Sequence, residues 1–206
     1  MKKILAVMFC AVLCLLLLAS CGDEESETLP SIEVENVPAM QEITYYADII
    51  IKDYGTITVA LDAKSAPKSV ENFVTLAKED FYDGLTFHRI IEDFMMQGGN
   101  GQPAGKTCDT IKGEFAANGV DNPLSHFRGA ISMARATSYN SGSSQFFIVH
   151  KDSLGLDGQY AVFGYVTAGM NIVDAICTEA SPVDNNGTIL TENQPVIVDV
   201  VIREAK

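Results

Sequence analysis

The sequence predicts a mainly β protein whose sheet closes into a barrel with a helix at each end. Three observations carry that prediction. Many short apolar segments are separated by turn residues, only two stretches have helical spacing (one early, one late), and nothing repeats at a fixed period. Short strands in that number with so few helices fit a closed sheet better than an alternating α/β layer.

The elements come in this order. Ala47-Asp48-Ile49-Ile50-Ile51 and Thr56-Ile57-Thr58-Val59-Ala60-Leu61 flank Lys52-Asp53-Tyr54-Gly55, the pattern of a β-hairpin. Ser65 stands where it can cap a helix with Pro67 in the first turn, and Val70, Phe73, Val74 and Ala77 form one apolar stripe. Leu85 to Ile91 returns to strand. A glycine-rich stretch comes next, then short strands near Gly129–Ala134, Gln145–His150 and Ala161–Val166. Gly169 precedes a short helix over Met170–Cys177, and Pro195 to Ile202 is the last strand.

The N-terminus is organised differently. Lys2 and Lys3 precede an apolar, uncharged run over residues 4–19. That layout is a secretory signal, and the run is shorter than the ~20 residues of a spanning helix. Leu18-Ala19-Ser20-Cys21 resembles the lipobox of bacterial lipoproteins, in which the cysteine is lipidated and becomes the first mature residue. An uncleaved anchor and an ordinary signal peptide are the other readings. Residues 1–20 are thus expected to be the signal, with Cys21 the lipidation site. Residues 21–43 read as an acidic tether, since Gly22-Asp23-Glu24-Glu25-Ser26-Glu27 has no large apolar side chain and Pro30 and Pro38 interrupt the residues after it. About 20 extended residues span up to about 70 Å. Residues 44–206 are left as the folded domain, expected outside the cytoplasm and held to a bacterial membrane through the lipid alone.

The formal charge of the 206 residues is −13, and losing residues 1–20 removes two lysines and no acids, leaving −15. Such a balance opposes nucleic-acid partners and anionic headgroups. Of five cysteines, Cys10 and Cys14 leave with the signal and Cys21 is committed to lipid. Cys108 and Cys177 remain, as a disulfide or as two thiols. His88, His126 and His150 are scattered, and no Cys/His spacing suits zinc.

The residues that carry chemistry lie in three places. Phe87-His88-Arg89-Ile90-Ile91 runs into Phe94-Met95-Met96-Gln97-Gly98-Gly99. Ser144-Gln145-Phe146-Phe147-Ile148 comes later, then Leu156-Asp157-Gly158-Gln159-Tyr160 with Val162-Phe163-Gly164. A lone arginine on an apolar surface is costly without a partner, because its charge cannot be neutralised. Such a surface suits a ligand that is greasy at one end and carries a carbonyl at the other, as a prolyl peptide does. With Ser132-Met133-Ala134-Arg135-Ala136, these segments resemble the cyclophilin-type peptidyl-prolyl isomerases from about Tyr46 to Arg203. The resemblance implies an eight-stranded antiparallel barrel capped by two helices, with the active groove on its outer face. It also implies isomerisation of Xaa-Pro bonds in unfolded or extended polypeptides, by a monomer, without metal, cofactor or covalent intermediate.

By that resemblance Arg89 is the catalytic arginine. Phe94, Met95, Phe147 and Leu156 form the proline pocket, Gln97 and Gln145 hold the peptide backbone, and Ala134 with Arg135 line the strand-like side. By composition alone the phenylalanines and Met95 read rather as ordinary barrel core, a reading that the resemblance reverses for Phe94 and Phe147. His88, one residue from Arg89, is expected on the opposite strand face. Two departures bear on ligands. Gly155 stands where many members have an aromatic, and Tyr160 stands where many have a histidine. The loop from Asn100 to Thr110 is also shorter and poorer in glycine than usual. The competing reading is a tethered peptide-binding or chaperone module of the same fold with little catalysis. A structural envelope lipoprotein would leave Arg89, Gln97 and Phe147 without a purpose.

Overall fold

The computed structural model describes residues 40–206. The signal, Cys21 and the tether up to residue 39 lie outside the described residues. Strands β1 (Tyr45–Ile51) and β2 (Gly55–Leu61) pair antiparallel around a turn in which Asp53 takes φ 65°, a conformation that aspartate tolerates better than most residues. Helix α1 (Pro67–Lys78) comes next, then β3 (Phe87–Ile91), β4 (Met95–Gly98), β5 (Ala130–Met133), β6 (Phe146–Val149), β7 (Ala161–Ala168), helix α2 (Met170–Glu179) and β8 (Ile197–Glu204). The strands form one antiparallel sheet in the order β3-β4-β6-β5-β7-β2-β1-β8.

The closed barrel expected from the sequence is corrected to an open half-barrel. Its edge strands β3 and β8 share no ladder. They meet at a single bridge, Thr86 to Val196, extended by Phe87 N–H to Pro195 O (3.0 Å) and Ile197 N–H to Leu85 O (2.7 Å). Pro195 has no N–H to return, and beyond Phe87 the edge of β3 is taken by another segment. Ile90 N–H bonds Gly187 O and Ile189 N–H bonds His88 O, so β8 cannot reach it.

Strand β4 lies where the residue pattern gave only a glycine-rich stretch. The cap of α1 also differs from expectation. Ser65 turns back to donate to Asp62 (2.8 Å). The free N–H groups of Lys68 and Ser69 are satisfied by the carboxylate of Glu114, at 2.9 and 2.8 Å. Glu114 is only 3% exposed; a carboxylate can be buried there because a helix N-terminus supplies donors and positive potential.

The central strands bury both faces, which is why they read as continuous apolar runs rather than alternating ones. One face, with Met96, Ile131, Met133, Phe146, Ile148 and Phe163, joins the main core, where α1 adds Val70 and Phe73 and α2 adds Val173 and Ile176. The other face carries a second cluster of Met95, Leu124, Ala130, Phe147, Val149, Val162 and Tyr165. Adjacent residues therefore part company. Phe146 packs edge-on against Phe73 inside, while Phe147 belongs to the outer cluster, around which Phe94, Ala134, Leu156 and Tyr160 are half-buried.

Candidate functional site

The site grows out of that second cluster. Strands β3 and β4 pair so that Arg89 stands opposite Gln97, and β4 and β6 pair so that Gln97 stands opposite Phe147. Cross-strand neighbours lie within side-chain reach, which places a cation, an amide and an aromatic ring side by side. The Arg89 guanidinium is held at two points: Nε donates to Asn186 O (2.7 Å) and Nη1 to Gln97 Oε1 (3.3 Å). Gln97 Nε2 donates in turn to Gln145 Oε1 (2.9 Å). Phe94 lies beneath the guanidinium, 5.9 Å from its carbon, and Met95 Sδ is 3.7 Å from Nη1.

Arg89, Phe94, Met95, Gln97, Ala134, Arg135, Phe147, Leu156 and Tyr160 line one cavity of about 210 Å³. Of the residues expected from the sequence, only Gln145 is outside that lining, tied to it through Gln97. The cavity is below the size of drug-sized ligand sites and suits one compact ring. Phe147 forms part of the lining, with the Tyr160 ring standing edge-on at 5.9 Å. The Arg135 guanidinium lies 4.6 Å over the Tyr160 ring and 5.1 and 5.2 Å over Tyr139 and Phe115, donating to Gln159 O and Ala136 O at 3.0 Å each. Gly155 has open space where a side chain would begin, so no aromatic closes that end.

His126 is the site residue that sequence reasoning missed. It is fully buried and stacks on Phe147, with centroids 5.8 Å apart and 12° between planes. Its Nδ1 is 2.7 Å from Asp157 Oδ1, and its Nε2 is 3.0 Å from Ser132 Oγ. A carboxylate accepts, so Nδ1 carries the proton and Nε2 accepts from the Ser132 hydroxyl. Burial pushes the His126 pKa below its ordinary value, against the pull of Asp157. The order Ser–His–Asp matches a hydrolytic triad, yet Ser132 is fully buried and cannot meet a substrate. No local signal marks His126, whose partners lie 21 to 31 residues away except for Ser132.

His88 does not line the cavity; its Nδ1 is buried without a partner, and desolvation lowers its pKa. Cys108 and Cys177 are free thiols. Among the described residues, no group of three or more His, Cys, Asp or Glu is placed to hold a metal ion. No helix among them is long and apolar enough to cross a membrane.

The family model described as cyclophilin type peptidyl-prolyl cis-trans isomerase/CLD matches residues 46–206. The chain belongs to this family. As a cyclophilin-type isomerase it is 47% identical over 126 residues to a peptidyl-prolyl cis-trans isomerase of Helicobacter pylori, covering 59% of this chain and 74% of that one. It is 46% identical over 123 residues to peptidyl-prolyl cis-trans isomerase B of Bacillus subtilis, covering 59% and 82%. Among solved structures it is similar to a cyclophilin-type isomerase of Cryptosporidium parvum crystallised in the presence of the dipeptide Ala-Pro. The TM-score there is 0.66 and the identity 27%, over 78% of this chain and 99% of that one. The protein is a peptidyl-prolyl cis-trans isomerase.

Proposed function

We propose that the cavity receives the proline of an Xaa-Pro segment and that Arg89 is the catalytic residue. The observation that carries this is the guanidinium's setting. Nε and Nη1 are both anchored, leaving Nη2 without a protein partner among the described residues at the lip of a cavity that Phe94, Met95, Phe147 and Leu156 also line. Rotation about a peptide bond faces a barrier of ~18–20 kcal/mol, because the C–N bond is partly double. In the twisted state the proline nitrogen regains its lone pair. A charged donor aimed at that nitrogen or the adjacent carbonyl strengthens only as the bond twists, so it lowers the barrier rather than merely binding substrate. A ~10⁵-fold acceleration corresponds to roughly 7 kcal/mol. One half-exposed hydrogen bond supplies less, so desolvation and orientation contribute the remainder.

Phe94, Met95, Phe147 and Leu156 hold the ring, Tyr160 adds an aromatic wall, and Ala134 with Arg135 flanks the peptide. Gln97 on β4 and Gln145 just before β6 form a relay from Arg89 that can bond the peptide backbone. The Ala-Pro present with the Cryptosporidium parvum relative supports a proline-containing ligand. The motif Leu18-Ala19-Ser20-Cys21 supports the wider role: an exported enzyme, tethered by lipid at Cys21, that speeds folding of secreted chains beside the membrane.

Cis/trans exchange of Xaa-Pro peptides, followed by NMR with the parent and Arg89→Ala at equal folded stability, tests the chemistry. Acceleration by the parent that is largely lost in the variant is expected, and equal acceleration by both refutes the role of Arg89. Cys21→Ala should release the protein from the membrane fraction. Refolding of secreted proteins in cells should slow when the gene is removed, and unchanged refolding would sink the wider role.

A further inference from the structure

We propose that the turn Asp184–Thr188 is the positioning element of Arg89 and that Asp184 is the residue that sets it. This rests on Arg89 being the catalytic residue. The turn lies along the part of the β3 edge that β8 leaves open, where Arg89 bridges Thr188 and Ile90 N–H bonds Gly187 O at 2.8 Å. Asp184 Oδ1 accepts from the N–H groups of Asn186 and Thr188, both at 3.0 Å. Val183 N–H closes the turn onto Thr188 O (2.8 Å), and Gly187 N–H reaches Asp184 O (3.2 Å). One carboxylate oxygen therefore fixes the backbone on both sides of Gly187 and directs the Asn186 carbonyl outward.

That carbonyl takes the Nε–H of Arg89 at 2.7 Å, a shorter bond than the 3.3 Å from Nη1 to Gln97. Two anchors fix the plane of a guanidinium, whereas with Gln97 alone the group can swing about its side-chain torsions. Gly187 shows how closely the turn must seat. Its φ is +85°, and a Cβ there would come 2.7 Å from Ile90 O and 2.4 Å from Ile91 Cγ1. Asp184 is not among the residues that line the cavity. Its effect passes through the backbone of Asn186.

The test uses the full chain in detergent micelles, with Asp184→Ala, Asp184→Asn, Gly187→Ala and Arg89→Ala. Asp184→Ala should lower kcat by up to about 10²-fold, the scale of a ~1 Å misplacement of a catalytic group, with KM unchanged. It should also shift the Arg89 Nε–H resonance in NMR spectra. Asp184→Asn should recover most of the loss, because the amide oxygen still accepts both N–H groups. Gly187→Ala should reproduce the loss by pushing the turn off β3. On an Arg89→Ala background, Asp184→Ala should cost nothing further. Unchanged kcat and an unmoved Nε–H resonance in Asp184→Ala, beside an inactive Arg89→Ala, overturn this inference alone. Full activity in Arg89→Ala overturns the catalytic role and the inference with it.

Discussion

Phe147 and Arg89 line the same cavity in opposite surroundings. Phe147 is 5% exposed in the outer apolar cluster, with His126 stacked flat on its ring and fixed by hydrogen bonds to β5 and to the 154–160 segment. Arg89 stands on the edge strand, half-exposed, and is steered by one backbone carbonyl and one amide. Pocket shape thus depends on core packing and is inseparable from fold stability. The charge depends on a few exposed hydrogen bonds and can be altered with little effect on the fold. Changes on the two sides should therefore separate cleanly: substitutions at Arg89 move turnover, and substitutions around Phe147 move stability and substrate affinity together.

The largest effect should come from Arg89→Ala. Loss of an aimed donor costs about 10²–10³ in rate, so kcat/KM should fall by that factor in the peptide exchange assay. The urea midpoint should scarcely move, because the side chain is half-exposed. A large fall in the midpoint would show that the charged side is structural as well.

Phe147→Ala reverses the balance. Removing a buried phenylalanine costs about 3 kcal/mol or more, and the stacked His126 loses its partner. Denaturant unfolding should show that loss, and KM should rise more than kcat falls because the ring acts on bound proline in every state. A variant with full stability would mean that the cavity collapses without cost and that the outer cluster is looser than its burial implies.

These two residues also show what the sequence could and could not reveal. Strand β1, whose alternation is set by one buried face, and its hairpin partner β2 were legible, as was the apolar stripe of α1. Arg89, Phe147 and the remaining lining were named through motifs that resemble the family's, and the fold brings those motifs to one cavity. Strand β4 was hidden because Met95-Met96-Gln97-Gly98 is four residues long and runs into glycine, so no alternation has room to develop. Closure of the sheet was over-read, because strand number alone does not reveal which edge Pro195 blocks and the 187–189 segment occupies. Glu114 as the cap of α1 and His126 behind Phe147 were invisible for one reason. Each acts across 21 to 46 residues on a group that the local sequence leaves unsatisfied.

His126→Ala should fall below Phe147→Ala. It removes one stacking surface and leaves the fully buried Ser132 hydroxyl without its acceptor, whereas Asp157 is partly exposed and can turn to water. An orphaned buried polar group costs about 1–3 kcal/mol, so about 2 kcal/mol is expected by urea unfolding. Affinity for proline peptides should weaken alongside it. Ser132→Ala in the His126→Ala background should recover part of the stability by removing the orphan, and no recovery would place the cost in lost stacking instead.

The smallest effect, and the one that best isolates the buried side, is the response to mild acid. Burial lowers the pKa of His126 in the folded chain below the ordinary 6.5, and lowers that of His88 likewise. The unfolded chain then binds protons that the native state refuses, so stability rises with pH in that window. The contribution is complete above about 6.5 and declines as pH falls below it, until the lowered folded values are reached. Asp48 and Asp174, held low by hydrogen bonds from Arg203 and Arg128, act in a separate window, since their stabilisation is lost only as pH falls below 3.8. Urea midpoints should therefore drop between pH 7 and pH 5, and His126→Gln should flatten part of that drop while His88 supplies the rest. The cavity lining holds no histidine or carboxylate, so kcat of the folded enzyme should hold while the midpoint moves. A fall in kcat that tracks the midpoint would show that the two sides of the groove are coupled through more than the cavity they share.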